Sequence, residues 1–227
     1  MKILLSGGSG ILGSELVNLI KRTECEVFFP TSKYMDITDI NKIKHSIEEY
    51  APDVFVHASA FTDVKRCETE LEKSIDVNII GTCNVVKACS AYNLRLVHIS
   101  TDYVFDGNKG DYSINDPINP ITKYAKSKAA AELSARMYNK SLVIRTSFYG
   151  KTFPYDKAVI DQWTTKDYID IIAPMVLKEV MSNKIGVVHC KSKKRTIYEI
   201  AKDRTPTVVP VLRKELNILV PKDTSLI

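Results

Sequence analysis

The sequence predicts an α/β protein built on a doubly wound parallel sheet, and three observations point there. Short apolar runs alternate with amphipathic stretches through the first two thirds of the chain. The runs are continuous and β-branched rather than alternating, as strands covered on both faces must be. A glycine-rich turn follows the first of them. At 227 residues and 44% hydrophobic content the chain can bury a full core, most simply as one domain with a small annex.

The elements follow in order. "KILLS" (2–6), "EVFF" (26–29), "DVFVHAS" (53–59), "LRLVHIS" (94–100) and "SLVIRTS" (141–147) read as buried strands. Helical stretches fall between them at 11–22, 39–50, 68–92 and 120–138. Strict alternation of strand and helix puts helices on both faces of a parallel sheet and ligands beyond the carboxyl ends of its strands. After residue 150 the rhythm loosens. A helix is expected over 166–182, a strand at "IGVVHC" (185–190), and a short helix from Thr196, where Thr196 and Glu199 have the capping-box spacing. Pro206, Pro210 and Pro221 mark an irregular end.

Composition narrows the partners. The net charge of +5 is scattered, and the one basic cluster, Lys191, Lys193, Lys194 and Arg195, reads as a solvated face, so no nucleic acid is expected. A mild basic excess equally suits an anionic small molecule. Five cysteines with no C-x-x-C point to a reducing compartment. His45, His57, His98 and His189 are widely separated, and no metal is expected. No apolar run approaches the roughly 18 residues of a membrane span and no signal segment precedes the first strand, so the expectation is a soluble, cytoplasmic protein.

In "LLSGGSGILGSELVNLI", Gly7, Gly10 and Gly13 stand between strand and helix. Glycine there permits the tight reversal, lets a pyrophosphate approach the backbone, and lets helix and strand pack closely. This is a Rossmann-type dinucleotide turn, with Ser9, Ile11 and Leu12 completing the loop and helix start. The second strand ends in "FFPTSKYMDITD". An NAD enzyme would usually carry an acid there for the ribose 2′-hydroxyl. Thr31, Ser32 and Lys33 occupy the place instead and suit a 2′-phosphate, which makes NADPH the expected cofactor and NADH the alternative. Asp36 and Ile37 follow within reach of the adenine.

"HISTDYVFDG" leaves Ser100 and Thr101 at the end of the fourth strand, and "KYAKSK" sets Tyr124 four residues ahead of Lys128, on one helix face. With "GGSGILG", "DITD", "PDVFVHASAFTDV", "VNIIGT", "KYAKSKAAAE" and "RTSFYG", the chain resembles the extended short-chain dehydrogenases/reductases, and within them the dTDP-4-dehydrorhamnose reductase group. The resemblance covers nearly all of residues 1–150. It implies a Rossmann domain over 1–150 and a small, shortened substrate-binding region over 151–227.

The resemblance also implies roles. Tyr124 donates a proton to a sugar ketone as hydride arrives from NADPH, Lys128 lowers the phenol pKa and holds the nicotinamide ribose, and Thr101 hydrogen-bonds the ketone. Ala58, Ser59, Ala60, Thr62 and Asn78 match cofactor-lining positions. Asp102, Tyr103, Phe148, Gln162 and Trp163 are the expected substrate contacts, with Asp161 beside them. Related 4,6-dehydratases carry an Asp-Glu pair after the threonine, whereas Asp102 is followed here by Tyr103. Epimerase-reductases resembling GDP-fucose synthase place a cysteine where Asp102 stands. Simple reduction of a nucleotide-linked 4-keto-6-deoxyhexose is the implied reaction, compatible with a homodimer. The alternatives are a UDP-linked or N-acetylated hexulose, or a non-catalytic NADP-binding subunit similar to the β subunit of methionine adenosyltransferase.

Overall fold

Five of the apolar runs become parallel strands, joined by a sixth from late in the chain. The computed structural model describes residues 1–216 and 219–227. In chain order the sheet and its coverings are β1 (Lys2–Ser6), α1 (Ile11–Ile20), β2 (Glu26–Phe28), α2 (Ile40–Tyr50), β3 (Val54–His57), α3 (Val64–Thr69), α4 (Leu71–Ser74), α5 (Gly81–Ala91), β4 (Arg95–Ser100), α6 (Lys123–Arg136) and β5 (Ser141–Arg145). Then come β6 (Phe148–Tyr149), β7 (Lys157–Val159), β8 (Trp163–Thr164), β9 (Asp167–Tyr168), α7 (Ile169–Val180), β10 (Gly186–His189), β11 (Arg195–Thr196), α8 (Ile197–Lys202) and β12 (Val209–Val211).

The main sheet runs β10-β5-β4-β3-β1-β2, all parallel. The order reverses between β1 and β3, so the loops leaving those two strands flank the crevice where a doubly wound sheet binds ligands. Both faces are covered, as the continuous apolar runs require. Along β1, Ile3 and Leu5 join one core layer with α1 and α7, while Leu4 between them joins the other with α2 and α5. That is the two-residue alternation of a strand. All three are fully buried, each contributing on the order of 1.5–3 kcal/mol.

Helix starts follow local chemistry. Asp39 caps α2 by accepting from the Asn41 N–H, and Thr122 caps α6 by accepting from the Ala125 N–H. The single helix expected over 68–92 is instead broken into α3, α4, a π-helical turn over Ile75–Ile80, and α5. Glu70, at φ −105° and ψ 61°, interrupts it first. The π turn carries Asn78 and leads into Gly81, where a Cβ would stand 2.7 Å from the Ile37 side chain. The Thr196/Glu199 capping box forms as expected.

The boundary expected at Gly150 is crossed twice. β10 pairs with β5, and α7 lies against α1 with Ile169, Ile172, Ala173, Val176 and Val180 in the sheet core. Residues of the annex therefore come from 149–168, 195–216 and 219–227, around a separate cluster with Phe153, Val159, Tyr168, Ile200 and Val211. The expected helix over 166–182 starts later, at Ile169, because Asp167 and Tyr168 pair with β6. The proline-rich end is more regular than its sequence suggests: β12 pairs with β7 across Pro210, and Thr224, Ser225 and Leu226 are buried. The Tyr112 N–H donates to the Ser225 carbonyl at 2.8 Å, and the Leu226 N–H donates to Thr165 Oγ1 at 3.2 Å. Among the described residues no helix is long and apolar enough to cross a membrane.

Candidate active site

The glycine turn is packed too tightly for side chains. Gly7 has φ +78°, and a Cβ on it would lie 2.7 Å from the Ser59 nitrogen and 2.9 Å from the Ala58 carbonyl oxygen. A Cβ on Gly13 would lie 2.0 Å from the Gly7 carbonyl oxygen. The loops after β1 and β3 are thus pressed together at the point where the strand order reverses. Gly10 caps α1 with no side-chain hydrogen bond, so the amino-terminal N–H groups of that ten-residue helix are left for an outside acceptor. Close backbone, uncapped helix and switch-point position together fit a dinucleotide pyrophosphate. Ser9 and Ile11 are exposed at this turn, whereas the Leu12 side chain enters the sheet core and leaves only its backbone to the loop.

Around the expected adenosine end the structure divides the residues. Thr31, Ser32 and Lys33 are exposed beyond β2. The Asp36 carboxylate accepts from the Thr38 N–H and hydroxyl, at 2.9 and 2.8 Å, and holds the turn into α2. Ile37, expected at the adenine, is instead a core residue, 6% exposed and seated against Gly81. An apolar side chain between two helices gains more from the core than from a surface pocket.

Ala58, Ser59 and Ala60 are half-buried after β3, and Thr62 is exposed. Asn78 is 1% exposed and spends its amide on the protein. Its Oδ1 accepts from the Phe61 N–H at 2.7 Å, and its Nδ2 donates to the Phe61 carbonyl at 3.0 Å and to Ser127 Oγ at 2.8 Å. It fastens the β3 loop to α6 rather than facing a ligand.

Thr101 and Tyr124 meet beyond the end of β4. Thr101 accepts from the Tyr103 N–H at 3.2 Å and opens a single 3₁₀ turn over Asp102–Val104. Tyr124 lies in the first turn of α6, its ring edge-on to that of Tyr103 with centroids 6.5 Å apart. Burial pushes its phenol well above the ordinary tyrosine value, and the Asp102 carboxylate pushes the same way. The Lys166 ammonium and the Thr101 hydroxyl oppose them.

Lys128 is placed differently from the expectation. It shares the helix face of Tyr124 but is 5% exposed, and its Nζ donates to the Ile99 carbonyl at 2.7 Å. Burial pushes its ammonium down to about 8, against the pull of Glu132. Below it lie His57 and His98, fully buried with ring centroids 5.3 Å apart. His57 falls to about 3, through burial and then the Lys128 charge, so both rings are neutral when Lys128 is charged. Ser6 and Thr82 hydrogen-bond the two His57 nitrogens at 2.8 and 3.0 Å. Lys166, expected at a helix start, instead stands over the rings of Tyr103 and Tyr149, 5.6 and 4.7 Å from their centroids.

The expected substrate contacts are revised by strand register. Asp102 is buried and accepts from Thr101 at 3.1 Å, Thr164 at 3.4 Å and Thr224 at 2.7 Å, tying β4 to the annex instead of projecting into a pocket. Tyr103 stays at the site. Phe148 packs on the sheet core, and it is the next residue, Tyr149, that faces Lys166. Likewise Trp163 turns away to line a cavity of about 540 Å³ with Arg195, Tyr198 and Glu199, while Thr164 points to Asp102. Gln162 is 5% exposed, and Asp161 accepts from the Arg213 N–H at 2.7 Å. Successive residues of a strand face opposite ways, so a one-residue misreading of a two-residue strand exchanges its faces. Tyr149 and Lys166 meet beside Tyr103, and sequence reasoning named neither for the site. The lysine following two threonines in "DQWTTKDY" was the available signal.

Fold and site together define an extended short-chain dehydrogenase/reductase. The chain belongs to the family described by the RmlD substrate binding domain, which matches residues 1–173. It is 37% identical over 206 residues to the spore coat polysaccharide biosynthesis protein SpsK of Bacillus subtilis, covering 83% of this chain and 72% of that one. It is 32% identical over 194 residues to the dTDP-4-dehydrorhamnose reductase of Aggregatibacter actinomycetemcomitans, spanning 82% of this chain and 65% of the relative. Among solved structures, the dTDP-4-dehydrorhamnose reductase of Bacillus anthracis in complex with NADP superposes with a TM-score of 0.91 at 27% identity, covering 99% of this chain and 89% of that one.

Proposed function

We propose that the protein is an NADPH-dependent reductase of the 4-keto group of a nucleotide-linked 4-keto-6-deoxyhexose, acting in deoxysugar biosynthesis. The observation that carries this reading is the approach of Tyr124 to the turn that Thr101 opens beyond β4, its ring edge-on to Tyr103, together with the switch point where the Gly7–Gly13 turn fits a dinucleotide. Reductases of that specificity among its relatives support it, as does the NADP-bound structural neighbour. Five unpaired cysteines fit a reducing, cytoplasmic setting.

Bound at the glycine turn, the reduced cofactor supplies hydride. The uncapped end of α1 would hold its pyrophosphate, Ser32 and Lys33 its 2′-phosphate, and Lys128 its nicotinamide ribose. Tyr124 keeps its proton at neutral pH because burial and Asp102 both disfavour the phenolate. It is therefore poised as a general acid for a ketone oxygen that gains charge. The Thr101 hydroxyl donates to Asp102 at 3.1 Å and would redirect its one proton to the same ketone oxygen. Asp102 holds the Thr101 hydroxyl in place from below.

The test is a screen of dTDP-, UDP- and GDP-linked 4-keto-6-deoxyhexoses for NADPH oxidation. Turnover of the dTDP-linked sugar is the expected result. Tight NADP binding with no oxidation of any of the three would instead make the chain a non-catalytic binding subunit.

A further inference from the structure

Residues 221–226 form a strap between the loop that leaves the 3₁₀ turn and the β8–β9 region of the annex. Backbone groups hold it from both sides. The Asp223 N–H donates to the Gly107 carbonyl at 3.0 Å, and the Tyr112 N–H donates to the Ser225 carbonyl at 2.8 Å. Opposite them, the Trp163 N–H donates to the Lys222 carbonyl at 2.8 Å and the Thr224 N–H to the Trp163 carbonyl at 3.0 Å. The Leu226 N–H donates to Thr165 Oγ1 at 3.2 Å. The loop lies so close that a Cβ on Gly107 would stand 2.4 Å from Pro221, and one on Gly110 2.3 Å from Asp223.

With the strap held by its backbone, the Thr224 side chain is left for another task. It is buried, and its hydroxyl donates to Asp102 Oδ2 at 2.7 Å. That is the length of a strong hydrogen bond to a charged oxygen, whereas Thr164 reaches the same oxygen only at 3.4 Å and holds it weakly. The other carboxylate oxygen, Oδ1, accepts from the Thr101 hydroxyl at 3.1 Å. The two ends of one planar group thus serve two threonines. Fixing Oδ2 sets the rotation of the carboxylate, and with it the place of Oδ1 under Thr101. The Thr101 oxygen is steadied in turn by the Tyr103 N–H, at 3.2 Å.

Resting on the assignment of Thr101 as hydrogen-bond donor to the ketone oxygen, we infer that Thr224 is a positioning residue for that hydroxyl, acting through Asp102. The annex thereby reaches the reacting oxygen without touching it. Asp102 sets the side-chain rotamer of Thr101, and the Tyr103 N–H keeps the hydroxyl oxygen in place while its proton swings from Oδ1 to the ketone. A carboxylate free to rotate would leave that swing without a fixed start. Thr224 forms no covalent bond and passes no proton to the substrate.

A double-mutant cycle tests this in the full chain with NADPH and the dTDP-linked 4-keto-6-deoxyhexose. Thr224→Val keeps the shape of the side chain and removes its donor. It should lower kcat about tenfold, the size of one hydrogen bond to a charged group, with the KM for NADPH unchanged. Thr224→Ser should restore the rate. In a Thr101→Val background, Thr224→Val should have no further effect, because the hydroxyl it aims is gone. An unchanged kcat, or an equal fall in the Thr101→Val background, would overturn the inference. A second readout needs no turnover. Hydrogen exchange of the Tyr103 amide, followed by NMR, should quicken several-fold in Thr224→Val but not in Thr224→Ser, with the Tyr112 and Leu226 amides of the strap contacts unmoved. Thr224→Ala replaces the valine variant if circular dichroism shows that it folds poorly. Unmoved Tyr103 exchange overturns the positioning whatever the kinetics. A chain that reduces no sugar sinks the proposed reaction, and the amide exchange still decides the inference.

Discussion

The two ends of the candidate site were written into the chain in different ways. The cofactor end is a backbone device: Gly7 at φ +78°, Gly13 with no room for a Cβ, and a helix whose amino end has no side-chain cap. The opposite end is a side-chain device, with Lys166 over the rings of Tyr103 and Tyr149 and Thr164 turned to Asp102, and with Tyr149 and Thr164 standing on two-residue strands. Backbone demands leave a residue type with few substitutes, and that type can be read. Side-chain demands depend on which way a short strand faces, and that is settled by packing.

The largest expected effect sharpens this contrast at its centre. Tyr124→Phe should lower turnover roughly 10²- to 10⁴-fold with NADPH affinity nearly intact, measured by steady-state kinetics beside a binding titration. Loss of affinity equal to the loss of turnover would show that the phenol serves the cofactor end instead.

Next comes the seam between the sheet and α6. Arg145 and Glu132 are both fully buried and paired at 2.6 Å, with Ser100 donating to the same carboxylate at 2.7 Å. Removing one partner leaves an uncompensated buried charge, so Arg145→Met should cost about 3–5 kcal/mol in denaturant unfolding. A change within measurement error would mean that the seam is not a structural unit.

Gly13→Ala tests the cofactor end alone. Its methyl would collide with the Gly7 carbonyl at 2.0 Å, so the turn must open. About 1–3 kcal/mol of stability should be lost. NADPH affinity should weaken by about tenfold or more, while tyrosine chemistry at saturating cofactor is retained.

The smallest effect concerns the exposed Lys33. Lys33→Ala should narrow the preference for NADPH over NADH only several-fold, by about 1 kcal/mol, because an exposed charge is well screened. Equal use of both cofactors by the unmodified protein would remove the phosphate-binding role from this loop.

The strands of the sheet, their alternation with helices, the Gly7 turn and the Tyr124–Lys128 pair could all be read from residue order, because each reflects a local periodicity or a backbone requirement. The helix expected over 68–92 could not be read correctly, since its interruption at Glu70 and the π turn at Asn78 serve a contact with Phe61 and Ser127 that exists only after folding. The same holds for the boundary at Gly150, which β10 and α7 cross to complete the sheet.

By itself the sequence determined the fold class, the glycine cradle and the helix face that Tyr124 and Lys128 share, since burial on both faces of a strand, absence of a Cβ and a spacing of four on a helix are local facts. Only the tertiary structure decided where the two lysines stand. Lys128 sits on the right face but is drawn inward to the Ile99 carbonyl. Lys166, 42 residues beyond Tyr124 in the sequence, is brought over the rings of Tyr103 and Tyr149 by the contacts of Thr164 and Thr224 with one buried carboxylate. Charge acts through space, and the chain order records only the distance along itself.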